Sequence, residues 1–500
     1  MDYRGKNALI IGAGISGVAA YDLLLRAGAN PILYDSNSTL NITDVRNKTC
    51  EKEKANVILG DLPEAIKNSL DLVVLSPGVP TDTGLALELR ARGLYITGEI
   101  ELAYSVAKGR LIAITGTNGK TTTTALVGKI VADYLYSFKE NSGQHADGKE
   151  IGDTNPNKKH HGTTYVVGNI GIPYTSVALA TNEEDITVAE ISSFQLETIH
   201  DFHPNVSAIL NITPDHLNRH HTMENYIQAK EDITLNQTAA DTCVLNYEDE
   251  VLRAFGLKIS GKKTVEENDD NPATAGGMKC RVRFFSSAQK VENGCYYKDE
   301  YIYIVRDGAE EKLMNIHDMN LLGMHNVENV MAAILMADAM HIPMEKILES
   351  VKGFKAVEHR IEFVENVRGV DYYNDSKGTN PDAAIKAVLA MNRPTVLIGG
   401  GYDKESTYDE WIESFGTKVK ALVLLGQTAD KIEACARSHG FTNIYRVESL
   451  EEAVEKCASL AEDGDAVLLS PACASWGMFP NYEVRGTMFK ELVRNLPKIQ

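Results

Sequence analysis

Lys120 stands between Gly119 and a row of threonines at the end of Leu111-Ile-Ala-Ile-Thr-Gly-Thr-Asn-Gly-Lys-Thr-Thr-Thr-Thr124. An apolar strand running into a glycine-framed turn and then a helix is the pattern of a phosphate-binding loop. Gly116 and Gly119 let backbone N–H groups close on phosphate oxygens, Lys120 supplies a point charge, and the Thr121 hydroxyl is placed to ligate an accompanying Mg2+. The common G-x-x-x-x-G-K-[ST] form has glycine where this chain has Ile114, so the loop is a compact G-T-N-G-K-T variant. ATP is the expected nucleotide.

Phosphoryl transfer to an anionic acceptor needs cations that neutralise both partners, so further hard ligands should converge with Thr121. Glu190 and His216 qualify, because each sits at the carboxyl end of a predicted strand, 186–190 and 206–212, on the sheet edge that carries the phosphate loop. The bland alternatives are a solvated loop acid and a half-buried imidazole. Asp375-Ser-Lys377-Gly-Thr379-Asn380 follows another strand and precedes a Pro-started helix, which makes a second anion site. Arg360 lies where a second domain hands over to a third, either to reach a nucleotide phosphate or to form an interdomain salt bridge.

Residues 6 to 35 carry a further pattern: a strand, the turn Gly12-Ala13-Gly14-Ile15-Ser16-Gly17, a helix over 18–27, and a strand over 31–34 ending at Asp35. G-x-G-x-x-G with an acid about 20 positions on suggests a dinucleotide-binding Rossmann unit and, alone, a dehydrogenase. The same geometry holds any diphosphate on a helix N-terminus, with Asp35 free to accept bonds from a ribose or a base. A later strand over 71–75 ends in Ser76-Pro77-Gly78-Val79-Pro80, a sharp turn at the carboxyl edge where such sheets bind ligands.

The chain that positions these groups has 500 residues, 43% hydrophobic and 24% charged, too long for one core. An α/β fold of three domains is expected: a Rossmann-like domain over 1–107, a central phosphate-loop domain over 108–357 and a Rossmann-like domain over 358–500. Strands near 369–373, 395–398, 421–425 and 466–469 alternate with helices over 381–389 and 450–461 in the third. Two polar segments, 137–163 and 261–279, read as long surface loops. The formal net charge of −19 disfavours nucleic acid and anionic membrane as partners. Seven cysteines without a C-x-x-C pair form no disulfide or zinc pattern and fit a reducing cytoplasm. No apolar run suggests a signal peptide or a membrane span.

Together these residues resemble the Mur ligase superfamily, ADP-forming enzymes that extend the peptide of the bacterial cell-wall precursor, and within it the D-glutamate-adding branch. The resemblance rests on Gly116 to Thr122, Gly168-Asn-Ile-Gly171, Glu190-Ile-Ser-Ser-Phe-Gln-Leu-Glu197, Asn211 to His220 and Tyr226-Ile-Gln-Ala-Lys230. It continues through Gly323 to Asn329, His359-Arg360, Asn374 to Asn380 and Ser470-Pro-Ala-Cys-Ala-Ser475. It implies an ATP- and Mg2+-dependent amide ligase joining D-glutamate to UDP-N-acetylmuramoyl-L-alanine through an acyl phosphate, in cytoplasmic peptidoglycan synthesis serving cell shape and division. A monomer is expected, with domain closure about a hinge at 353–359.

By the same resemblance, Gly116, Thr117, Asn118, Gly119, Lys120, Thr121 and Thr122 bind ATP together with Asn326, Asn329, Arg360 and Asp375. Ile15, Ser16, Asp35, Ser76, Pro77 and Gly78 hold the uridine diphosphate, and Asn169, Ser192 and Gln195 hold the muramoyl part. Thr121, Glu190 and His216 bind metal, joined by Lys230 as a carbamylated lysine. Read without the family, Lys230 is a helix-surface lysine. Lys377, Thr379, Lys404, Ser475 and Tyr482 receive D-glutamate. Trp476-Gly477-Met478-Phe479 and Tyr482 depart from the branch's usual residues. The alternatives are another ligase of the superfamily, such as a different Mur ligase or a folylpolyglutamate synthetase, a dehydrogenase, and a non-catalytic ATP-switched binding protein.

Overall fold

Runs such as Leu72–Leu75 and Ile186–Glu190 are buried at every position, as strands covered on both faces must be. A computed structural model describes residues 1–141, 162–261, 279–355 and 357–497. The chain forms two compact units, Met1–Asn315 with Glu328–Val351, and Ile316–Val327 with Lys352–Gln500. The first contains two sheets and the second contains one.

The first sheet is parallel, in the order Val57–Leu59, Asn30–Asp35, Asn7–Ile11, Leu72–Leu75, Tyr95–Gly98. The chain reverses its direction of winding between Asn7–Ile11 and Leu72–Leu75, so the Gly12 turn and the Ser76 turn face one crevice at their carboxyl ends.

The second sheet has nine strands. Its parallel part runs Gly294–Lys298, Arg281–Ser286, Thr242–Asn246, Val206–Ile209, Arg110–Thr115, Ile186–Glu190, Thr164–Gly168. Arg110–Thr115, which delivers the phosphate loop, lies between the strands that deliver Glu190 and the residues up to His216. Two antiparallel hairpins close the far edge with Tyr301–Arg306 and Ala309–Asn315, neither anticipated from sequence. Their turns, Asp299-Glu300 and Asp307-Gly308, have positive φ at both central residues, the requirement of a tight type I′ hairpin. One apolar core is continuous from Ala8 and Val74 to Ala113 and Ile209, so these two sheets share buried surface.

The third sheet, in the second unit, orders Glu362–Val367, Val370–Asn374, Ala466–Leu469, Thr395–Gly399, Val419–Leu424, Ile444–Arg446, with the first strand antiparallel. The loops after Asn374, Leu469 and Gly399 therefore emerge side by side.

Most expected elements fall within one or two residues of their observed bounds. The strand expected over 206–212 stops at Ile209, and the first helix starts at Ile15. The helix after Lys120 runs to Asn141, which corrects the start of the expected loop: residues 137–141 include neither Gly nor Pro to stop it. The rest of that loop, 142–161, and residues 262–278 of the other lie outside the described residues.

Candidate active site

Gly116 and Gly119 adopt φ of 146° and 83°, which strain any other residue. A Cβ on Gly119 would fall 2.4 Å from the Asn329 side-chain oxygen, so glycine there also admits the helix Met324–Ala339 to the loop. The loop is tied from below by a residue the sequence did not single out for a role, Asn211. It accepts the Thr117 N–H at its carbonyl (2.9 Å) and the Asn118 N–H at its side chain (2.8 Å), and donates back to the Asn118 carbonyl (3.1 Å). These two N–H groups, expected to face phosphate, are thus already used. The N–H groups left for a phosphate are those opening the helix at Lys120, which no helix satisfies internally. Thr123 donates to Asn329 (3.2 Å), while Thr121 and Thr122 stand in the first helical turn.

Lys120 donates to the carbonyls of Gly116 (2.7 Å) and Thr117 (2.9 Å). Lys230 donates to the same Gly116 carbonyl at 2.9 Å. Expected from sequence alone on a helix surface, Lys230 is instead 2% exposed, its ammonium 4.7 Å from the Tyr226 ring. Burial, and then the neighbouring Lys120 charge, push its pKa well below the ordinary lysine value. As an unmodified lysine it is a donor, not a metal ligand. Tyr226, quoted in a motif but given no role, is buried and bonds the Thr117 hydroxyl at 3.0 Å.

Glu190, 1% exposed, pairs in register with Ile114 just before the loop. Its Oε1 accepts from Asn169 at 2.8 Å, whereas its Oε2 is buried without a hydrogen-bond partner among the described residues. A buried carboxylate oxygen left bare is costly unless a cation or donor meets it. Hard oxygen donors from Glu190 and Thr121 beside a phosphate loop fit Mg2+. His216 is exposed, with φ 54°, at the N-cap of the single-turn helix Leu217–His220, its ring 4.9 Å from that of Phe194.

That short helix is held by a buried network that sequence reasoning missed. Arg219 donates to the carbonyls of Pro77 (2.8 Å) and Val79 (3.1 Å) and to Glu197 (2.8 Å), and lies over the Phe194 ring at 4.2 Å. Glu197 also meets His220 Nδ1 at 3.3 Å, and His220 Nε2 lies 2.9 Å from the Ser193 hydroxyl. Burial, helped by the Arg219 charge, lowers the His220 pKa to about 4, so the ring is neutral. Ser192 and Gln195 form a reciprocal capping box on the helix Ser193–Leu196.

In the first sheet, a Cβ on Gly17 would lie 1.8 Å from the Gly12 carbonyl oxygen, which is why the turn needs glycine there. Asp35, expected free, accepts from the Ala13 N–H (2.9 Å) and the Asn37 N–H (3.0 Å); it shapes the turn from its two sides. Ser76 donates to the Gly12 carbonyl at 3.0 Å. Ile15 is 81% exposed and Ser16 is half-buried beside it.

In the second unit, Asp375 is buried, accepting from Ser470 (2.7 Å) and from the Ile361 N–H (3.3 Å). Burial raises its pKa to about 7 against the bond from Ser470 and the Arg360 charge. Arg360 Nε is buried with no hydrogen-bond partner among the described residues. Asn326 caps locally, donating to the Leu322 carbonyl at 2.7 Å. Lys377 lies 5.6 Å from the Tyr482 ring, and Lys404 5.0 Å from the Trp476 ring. Ser475 is buried and Thr379 half-buried. Arg485, unforeseen, joins the two loops: it donates to the Ser376 hydroxyl (2.9 Å), the Ser376 carbonyl (2.8 Å) and the Cys473 carbonyl (3.3 Å).

Three family models match: a Mur ligase MurD-like N-terminal domain over residues 6–98, a Mur ligase middle domain over 114–337 and a Mur ligase glutamate ligase domain over 359–473. The UDP-N-acetylmuramoylalanine--D-glutamate ligase of Lachnospira eligens is 52% identical over 99% of this chain and 100% of its own. That of Lachnoclostridium phytofermentans is 49% identical over 99% of both, and that of Clostridioides difficile 44% identical over 99% and 100%. The solved UDP-N-acetylmuramate-alanine ligase MurC of Thermotoga maritima, 18% identical, matches 98% of this chain and 99% of that one with a TM-score of 0.54. The MurF ligase of the same organism, in complex with ADP, is 16% identical over 98% and 96% with a TM-score of 0.52. At such identities these two speak to the fold. By the matched domains and the full-length relatives, the chain belongs to the Mur ligase family.

Proposed function

We propose that this chain is an ATP-dependent, ADP-forming ligase that adds D-glutamate to UDP-N-acetylmuramoyl-L-alanine in peptidoglycan precursor synthesis. The observation that carries the reading is 52% identity along 99% of the chain to a ligase of that name. Its chemical support is the phosphate loop with Lys120 beside a buried Glu190 whose second oxygen has no hydrogen-bond partner among the described residues.

The substrate carboxylate attacks the γ-phosphorus, ADP leaves, and the D-glutamate amine displaces phosphate from the acyl phosphate, losing a proton as the amide forms. Lys120 and the N–H groups opening its helix offset the repulsion between phosphate and carboxylate, a task of positioning and electrostatics. Mg2+ held by Thr121, Glu190 and His216 supplies further charge neutralisation when bound. Lys230 is assigned as the amine that takes up CO2: a depressed pKa raises the share of unprotonated, nucleophilic amine, and its carbamate offers the oxygen ligand that a lysine lacks.

We assign the Gly12 turn, with Ile15, Ser16, Asp35 and the Ser76-Pro77-Gly78 turn, to the uridine diphosphate, and Asn169, Ser192 and Gln195 to the muramoyl group. Asn326, Asn329, Arg360 and Asp375 are assigned to the nucleotide. Lys377, Thr379, Lys404, Ser475 and Tyr482 are assigned to D-glutamate, lysines suiting its carboxylates as point charges. The range 1–107 is taken as the substrate domain, 108–357 as the ATP domain and 358–500 as the amino-acid domain, in a cytoplasmic monomer. Among the described residues no helix is long and apolar enough to cross a membrane.

The test is ADP release with UDP-N-acetylmuramoyl-L-alanine and D-glutamate, each omitted in turn, using a substrate carboxylate labelled with heavy oxygen. Label should appear in the released phosphate. Unlabelled phosphate sinks the acyl phosphate, and turnover only with other acceptors or amino acids favours another ligase of the superfamily.

A further inference from the structure

Away from the residues assigned above, the second unit brings two helices together, Asp409–Glu413 and Ala429–Ser438, the latter capped by His439. Trp411, Ile412, Phe415, Ile432 and Ala436 are buried in one core between and beneath them, which fixes their facing surfaces. Asp409 and Glu413 are four residues apart, as are Cys435 and His439, and residues so spaced share one helix face. Each helix thus presents a pair of metal-type donors to the other.

The distances bear this out. His439 Nε2 lies 3.7 Å from Asp409 Oδ1 and 3.5 Å from Glu413 Oε1. Cys435 Sγ lies 3.9 Å from His439 Nδ1, the nitrogen on the other side of the ring from the carboxylates, and one donor atom each from Asp409, Cys435 and His439 falls within a mutual 4.8 Å, a group that Glu413 does not join. Bond lengths in a tetrahedral zinc site put neighbouring donors roughly 3.3–3.8 Å apart, so the three grouped donors must draw inward and Glu413 must turn to join them. A second observation concerns the ring's other nitrogen: His439 Nδ1 is 3.0 Å from the Cys435 carbonyl oxygen. A proton held there turns the Nε2 lone pair toward the two carboxylates, the backbone support typical of a metal-bound histidine. An imidazolium between two carboxylates, with the Cys435 thiol bonded to Asp409, is the metal-free alternative.

We propose that Asp409, Glu413, Cys435 and His439 form a surface binding site for Zn2+. A thiolate and an imidazole select zinc over Mg2+, and the two carboxylates complete four ligands and balance its charge. Binding releases the Cys435 thiol proton to solvent. The site uses none of the residues assigned to ATP, the nucleotide sugar or D-glutamate.

The test is a Co2+ titration of the full-length reduced protein in excess Mg2+ and ADP, which occupy the oxygen-rich phosphate site. Expected is a thiolate-to-cobalt charge-transfer band saturating at one equivalent and displaced by Zn2+. The band should vanish in Cys435→Ser and persist in Cys50→Ser, the variant at the exposed thiol elsewhere. His439→Gln and Asp409→Asn, both at exposed positions, should weaken cobalt binding by roughly tenfold or more. Zn2+ should raise the melting temperature of the parent protein and not that of Cys435→Ser. Absence of the thiolate band in the parent protein overturns the proposal in favour of ion pairs alone, and so does a band that survives Cys435→Ser.

Discussion

At the scale of single residues, Lys230 and Asp375 both sit where burial disfavours their charged forms. Burial of Lys230 beside Lys120 penalises its ammonium. The folded state therefore binds fewer protons than the unfolded chain, and the penalty fades as pH rises toward the ordinary lysine value. We expect removal of CO2 and bicarbonate to lower ADP release reversibly, and Lys230→Ala to be inactive whether or not bicarbonate is supplied. Full activity in carefully degassed buffer would remove the carbamate from the mechanism. Asp375 has the opposite sign: its pKa is raised from 3.8 to about 7, so between those values the folded state holds the extra proton. Its contribution to stability is lost as pH rises through that window. If its carboxylate accepts bonds from the nucleotide, KM for ATP should climb as pH falls below about 7 and level off in Asp375→Asn. A KM for ATP that is flat between pH 6 and 8 in the parent protein denies Asp375 that part.

At the scale of elements, the single-turn helix Leu217–His220 begins at His216 with φ 54° and ends at His221 with φ 68°. Too short to be stable by itself, it depends on side-chain tethers. Arg219 supplies one, bonding the carbonyls of Pro77 and Val79 and so setting the Ser76-Pro77-Gly78 turn against the helix capped by His216. We expect Arg219→Lys, which keeps the charge but loses the planar fork, to raise KM for the UDP-linked substrate roughly tenfold while KM for ATP stays within about twofold. Equal rises in both would mean general loosening. Strands were legible here because each ends in a recognisable turn: Arg110–Thr115 at Gly116, Ile186–Glu190 at a serine pair. The tethers were not. Arg219, Asn211 and Arg485 act through partners distant in the chain, and no local spacing announces a bond from residue 219 to residue 77. Lys230 was named only through the family, since a lysine on a short helix gives no sign of burial before its neighbours are in place.

At the scale of the whole molecule, three sheets were legible from alternating strands, turns and helices, whereas two hairpins at 294–315 were not. Their strands alternate, as in Tyr301-Ile-Tyr-Ile, and the second turn carries the Asp307-Gly308 pair that marks a hairpin, a signal passed over in the sequence, whereas the first turn, Asp299-Glu300, carries none. Nor could composition show that the first two sheets share a core from Ala8 to Ile209, while the cores around Trp411 and Phe489 are made from residues of the second unit. Separate cores imply separate cooperative transitions. We expect calorimetry at pH 8 to resolve two, each with its own reporter. Gly17→Ala forces a Cβ against the Gly12 carbonyl oxygen and should lower only the transition of the unit containing the first sheet. Asp375→Asn removes a carboxylate that burial disfavours, so it should raise only the other, with a smaller effect at pH 5, where the parent carboxyl is already protonated. A single transition shifted by both substitutions would mean that the two units unfold as one.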